Sequence, residues 1–276
     1  MWAAYFNCVE IFVRFATLLL ISTSTPTSHA WGGDSWNGDN GWKEYEKEEC
    51  LHLESLYPPD KHGYIHEDII LDRHVLLDYT CLESSGVSKI HGNLEIGPSI
   101  HLQRVNLQGL KLVTGSFALL GIYNDNHDDH DERGLTLHAQ HLEEVHEFLQ
   151  IRYTSFRTFD IPRLRLVGRT LEIKDNPVLQ AFDLPHLHTV GLHLVIQDNP
   201  TLLKIYLPRL KIIRWDLWIQ YNTMLRCIET PELTTIGEDY ELHFCGDLVD
   251  ILHPKLEYIG EDFEIYSITA NEMRVS

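Results

Sequence analysis

The chain has 276 residues, 43% of them hydrophobic and 23% charged, and a formal net charge of −19. That is enough apolar sequence for one sizeable core. The acidic excess excludes a nucleic-acid partner, since phosphates would be repelled, and it disfavours an anionic membrane surface. A basic partner or a bound cation is the electrostatic complement, and the charge also keeps a β-rich protein soluble.

Residues 1–30 carry a short apolar run, Phe15 to Ile21, then a Ser/Thr/Pro segment ending Ser28-His29-Ala30. Small residues at Ser28 and Ala30 suit signal peptidase, so a secreted protein cleaved after Ala30 is expected. The apolar run is too short to span a bilayer, and the C-terminal residues lack the small-residue site and apolar tail of a lipid anchor. Residues 31–49 mix glycine, asparagine, tryptophan and charge without apolar periodicity and read as a flexible leader. Residues 50–89 have no period yet retain apolar clusters, and they are expected to form an N-terminal cap, with a short helix over Asp72–Tyr79.

From residue 90 the chain repeats itself. Gly168-Arg169-Thr170-Leu171-Glu172-Ile173-Lys174-Asp175-Asn176-Pro177 returns as Gly191 to Pro200, 23 residues later, and again as the segment ending at Asn222. Each is followed by a second signature: Leu184-Pro185-His186-Leu187, Leu207-Pro208-Arg209-Leu210, Thr230-Pro231-Glu232-Leu233. A fixed period of this size marks a solenoid. Alternating parity places eight inward pairs: Leu94/Ile96, Phe117/Leu119, Leu149/Ile151, Leu171/Ile173, Leu194/Ile196, Leu217/Ile219, Tyr240/Leu242 and Phe263/Ile265. The one long interval contains an insertion at 124–133. The fold class is therefore mainly β, a right-handed parallel β-helix or leucine-rich-repeat-like solenoid with coils of ~23 residues. Proline belongs at its corners, where the missing donor does no harm. Asn176, Asn199 and Asn222 are expected to stack at a turn, each amide bonding backbone of adjacent coils.

The repeat Gly-x-x-Leu-x-Ile-x-x-Asn-Pro-x-Leu, then Leu-Pro-x-Leu-x-x-Val-Gly, resembles the receptor L-domain class over residues 68–276. It is most similar to the fungal cell-wall and sporulation (Ecm/Sps-type) family of secreted, often lipid-anchored proteins. That resemblance implies extracellular placement, a part in wall organisation and no catalytic residues. The chain departs from the family in lacking an anchor tail, a Ser/Thr-rich stalk and an acceptable N-glycosylation sequon.

Four cysteines follow the cleavage site. Cys50 with Cys81 would staple the cap, and Cys227 with Cys245 follows by elimination, although convergence of the latter two is left open. Two places invite a metal: His127 and His130 in the insertion, and Asp239 and Asp262 in the repeated Gly-Glu-Asp-x-Glu blocks. A solvated acidic surface is the plainer expectation for both, and no metal or cofactor is assigned. Trp215, Trp218, Tyr221 and Tyr206 form the densest aromatic group and the candidate binding patch for a glycan or protein. The expected function is that of a non-catalytic recognition or structural module of the cell wall or surface. A polysaccharide-active β-helix enzyme and a secreted effector or ligand are the alternatives. Phe263/Ile265 end the apolar stack, so a partner or self-association through the C-terminal coil is expected there.

Overall fold

The computed structural model describes residues 50–76, 79–123, 135–246, 248–266 and 274–275. The segments expected as signal peptide and leader, and the insertion with His127 and His130, lie outside them. The described part is a parallel β-solenoid. Each coil contributes one short strand to each of three walls, and neighbouring strands of a wall, one coil apart in sequence, pair in parallel.

The longest strands build a nine-stranded sheet running from Ile69–Leu71 to Phe263–Tyr266. Its register is the one the period demands: Leu171, Leu194 and Leu217 are in line, as are Ile173, Ile196 and Ile219. Both inward positions are buried, Leu171 and Ile173 being 0% exposed, while Glu172 and Lys174 between and beyond them are half-buried on the outside. Burying a Leu or Ile side chain is worth about 1.5–3 kcal/mol, so the stacked pairs dominate the core. A second nine-stranded sheet is made of two-residue strands from Tyr64–Ile65 to Tyr258–Ile259. The third wall is divided: six strands end at Ala181–Asp183, and four more begin at Lys204–Tyr206.

The corners follow from the motifs. In Leu-Pro-x-Leu the second leucine donates its N–H to the carbonyl of the residue before proline, at 3.2 Å for Leu187 to Leu184 and 3.2 Å for Leu210 to Leu207. Proline thus fills the second position of a β-turn, which its fixed φ favours. At the corner leading into the long sheet, a Cβ on Gly191 would collide with the carbonyl oxygen of Gly168 one coil earlier. Only glycine lets the two turns of chain lie this close.

Residues 50–89 open the solenoid as an atypical terminal unit: Cys50–His52, Tyr64–Ile65 and Ile69–Leu71 already join the three walls. Three expectations need correction. Ile69 and Leu71 are in register with Leu94 and Ile96, so the long sheet has nine rungs, one more than the eight read from the repeat. The described part of Asp72–Tyr79 turns rather than coils into a helix; the helix of this region is Leu53–Leu56. Finally, Cys50 and Cys81 are bonded across adjacent coils, but Cys245 carries a free, buried thiol. Cys245 occupies the inward corner position of the asparagines, whereas strand parity puts Cys227 on the outside of the third wall, next to inward Ile228. The two cannot meet.

Candidate functional site

The buried corner row explains how the outer surface is held. Asn176, Asn199 and Asn222 are all 0% exposed. Asn199 Nδ2 donates to the carbonyls of Ile173 (2.9 Å) and Gln197 (3.0 Å), and its Oδ1 accepts from the backbone N–H (3.3 Å) and Nδ2 (3.0 Å) of Asn176. Asn222 repeats this for the next coil. Thr154 starts the row by donating to Asn176 Oδ1, and Cys245 closes it with its thiol against the Ile219 and His243 carbonyls. Burial pushes the Cys245 thiol up to about 11, so it is present as the neutral S–H. The residue just before each of these corner positions is left-handed: Tyr153, Asp175, Asp198, Tyr221 and Phe244 have φ between 52 and 57°. Non-glycine residues rarely adopt this conformation, and the anchored corner row over-determines it.

That turn throws aromatic rings outward. Tyr153, Tyr221 and Phe244 are each 43% exposed, and Tyr221 and Phe244 stack at 4.9 Å with planes 7° apart. At the opposite end of the same strands, His193 lies between two indoles, stacked on Trp218 (5.0 Å, 20°) and edge-on to Trp215 (5.4 Å, 86°). Its Nδ1 is 2.8 Å from Asp216 Oδ2. A carboxylate can only accept, so this nitrogen carries the hydrogen. Trp215 is 44% exposed; Trp218 is half-buried on the outer face between Val195 and Glu241, with its Nε1 buried and lacking an acceptor. Around it the outer face carries Gln197, Gln220 and His243 in one column. Gln220 donates to Glu241 at 2.9 Å, and His243 packs edge-on to Tyr266 at 4.8 Å.

Of the four aromatic residues named from sequence, Trp215 and Trp218 are brought together through His193. Tyr221 stands at the far corner of the Trp218 strand, on Phe244. Tyr206 does not join them: it is on the third wall, where Lys204 Nζ lies 4.4 Å from its ring centroid. Period and parity tell in from out but not one wall from another. His193, Phe244 and Tyr153 were not singled out, although the left-handed turn position recurs at the residue before each Asn or its counterpart and could have found the last two.

The acids just before the long-sheet strands, Asp239 and Asp262 among them, are joined to one another through backbone N–H groups. Asp216 is 5% exposed, and its Oδ1 accepts the N–H of Asp239; Asp239 Oδ1 in turn accepts the N–H of Asp262, both at 3.0 Å. These carboxylates cap backbone at a corner. No group of three or more His, Cys, Asp or Glu that could hold a metal occurs among the described residues. Two features escaped the sequence reading. On the third wall Asp160 and Asp183 are in register, and burial, then the neighbouring Asp160, raises the Asp183 carboxyl above its ordinary range. Inside the last full coils, Tyr240 takes an inward leucine position and its OH is 2.8 Å from His253 Nε2, while Thr230 Oγ1 is 2.6 Å from His253 Nδ1. Burial holds the His253 imidazole down to about 4.

No family model, curated protein or solved structure matches the chain.

Proposed function

We propose that the protein is a non-catalytic recognition scaffold of the cell wall or cell surface, working outside the cell, that lays an extended glycan along the outer face of its long sheet. The observation that supports this most is the placing of outward-facing aromatic rings at both ends of consecutive strands, with amide and carboxylate side chains between them. Trp215 and Trp218 mark one end, Tyr221 and Phe244 the other, and Gln197, Gln220 and Glu241 lie in the interval. Sugar rings offer apolar faces to aromatic side chains and hydroxyls to fixed donors and acceptors, and a pre-organised surface keeps the entropic cost of binding low. The Trp218 Nε1, buried without an acceptor, would gain one from a ligand hydroxyl reaching it after a small shift. The repeat's resemblance to L-domains and the reading of residues 1–30 as a secretion signal support the extracellular setting.

The test is retention on insoluble and soluble wall polysaccharides and on a glycan array. Trp218→Ala is expected to lower affinity at least tenfold while leaving the melting temperature within a few degrees, since the ring is outside the core. Equal retention of variant and parent discards this face as the binding surface. The polysaccharide-active alternative has one observation in its favour, the in-register Asp160 and Asp183 carboxyls. Steady product release that Asp183→Asn abolishes would replace the scaffold reading with it.

A further inference from the structure

Among the described residues, the long sheet ends on an edge whose outward backbone groups have no strand beside them. Within the solenoid, the first inward residue of each strand donates its N–H to the following coil: Leu171 to His193 O at 3.0 Å, Leu194 to Asp216 O at 2.9 Å, Leu217 to Asp239 O at 2.8 Å, Tyr240 to Asp262 O at 2.9 Å. Phe263 holds the same register position as Tyr240, and Ile265 that of Leu242. In a parallel ladder these two residues therefore aim both N–H and C=O away from the coil they stack on. Among the described residues no strand pairs with that side. The side chains there are apolar and uncovered: Tyr258, Phe263 and Tyr266 are 55, 45 and 53% exposed, and Ile259 and Ile265 are half-buried where their counterparts in earlier coils are 0–1% exposed.

Charge decides the occupant. Glu257, Glu261 and Asp262 are exposed along this coil and Glu264 is half-exposed, while its one lysine, Lys255, is held by Glu232 at 2.6 Å. A second copy presenting the same edge would set two acidic rims against each other, and like charges opposite one another destabilise a strand pair. We propose that this edge receives an extended basic segment of a partner protein as an added β-strand. Its backbone completes the Phe263 and Ile265 hydrogen bonds, its alternate apolar residues cover those two side chains, and its intervening Lys or Arg side chains face Asp262 and Glu264. The added strand lies beyond the two coils that follow the Trp218 strand, at the end of the same sheet, and its binding does not depend on glycan binding at Trp218.

The probe is an eight-residue peptide of alternating Lys and Val, titrated calorimetrically into the full chain at 0.15 M salt. Its partner is the same peptide N-methylated at every second residue, which keeps charge and removes the donors of one strand edge. Saturable one-to-one binding is expected, weakened at least tenfold by N-methylation and by Ile265→Pro, and unchanged in Trp218→Ala. Proline at 265 removes an outward donor that the fold does not use, and the N-methylated peptide supplies the same comparison if that variant misfolds. Equal binding of the two peptides to the parent, or no binding of either, overturns the proposal. A dimer in sedimentation that the Lys–Val peptide cannot dissociate overturns it in favour of self-association.

Discussion

Replacing Asn199 by alanine tests whether the inward amide row, rather than apolar burial alone, locks each coil onto the next. The change removes the Oδ1 shared by the backbone N–H and the Nδ2 of Asn176, both deep in the core. The carbonyls of Ile173 and Gln197 also lose a donor, but the Gln197 carbonyl keeps its sheet bond from Asp175 N–H at 3.1 Å. The stranded donors are thus the Asn176 N–H and one of its two Nδ2 hydrogens, the other keeping the Ile151 carbonyl at 3.0 Å, and a buried donor without a partner costs about 1–3 kcal/mol. The expected loss is about 2–6 kcal/mol, a large share of the stability of an ordinary domain. Urea unfolding followed by circular dichroism and tryptophan fluorescence reads it directly. Because coils unfold in groups in repeat proteins, hydrogen exchange at Asn176 and Asn199 should be followed alongside. Asn199→Asp sharpens the test. It keeps the acceptor for Asn176, but the ionised side chain faces two carbonyls with no donor, so the variant should be weaker at pH 7 than at pH 4. Exposed Arg209→Ala, the control, should fall within about 0.5 kcal/mol of the parent. If Asn199→Ala unfolds where Arg209→Ala does, the row is ornamental and the argument fails.

Other expectations follow from the same interior. His253 is held down to about 4 against an ordinary 6.5, so its neutral form favours the fold; the benefit is whole above pH 6.5 and is lost as pH falls through 4. Linkage puts the loss at about 2 kcal/mol by pH 5 and about 3 kcal/mol in the limit, and a His253→Gln variant should lack that slope when unfolding is measured across pH 4–7. Cys245 should resist thiol reagents until the protein unfolds, and Cys245→Asn, which extends the amide row, should raise stability by about 1 kcal/mol in the same urea assay. Gly191→Ala should cost at least as much as the core substitutions, read as a fall in melting temperature or loss of soluble protein, because its Cβ has nowhere to go against Gly168.

How much of this was written in the sequence depends on what repeats report. Period and parity are properties of a stack, so the alignment of Ile173, Ile196 and Ile219, the proline turns and the asparagine row could all be read before any coordinate was known. The Ile69/Leu71 rung was missed because it stands 25 residues before Leu94 without the Gly-x-x-Leu lead-in. A solenoid preserves register while its turns change length, so irregular spacing hid a regular rung. Asp216 precedes its strand just as Asp239 and Asp262 precede theirs, yet there the corner bends into the wall and Asp216 is buried against His193. Tyr206 was grouped with Trp218 because a one-dimensional pattern has no way to say which of three walls a strand belongs to. The Thr230–His253–Tyr240 contact left a trace, since a tyrosine in a leucine column must find a partner for its hydroxyl.

The division of the third wall between Asp183 and Lys204 has a consequence for how the molecule gives way. Two walls carry strand pairing across that level without interruption, while the third is joined there by the Leu203 N–H to the Gln180 carbonyl at 3.2 Å and the Thr201 hydroxyl to the Leu179 carbonyl at 2.9 Å, so its ladder is thinned at that level. Failure is expected to begin at this joint, leaving the coils up to Asp183 assembled while those after Lys204 fray, and a step in amide protection between the two would be its signature.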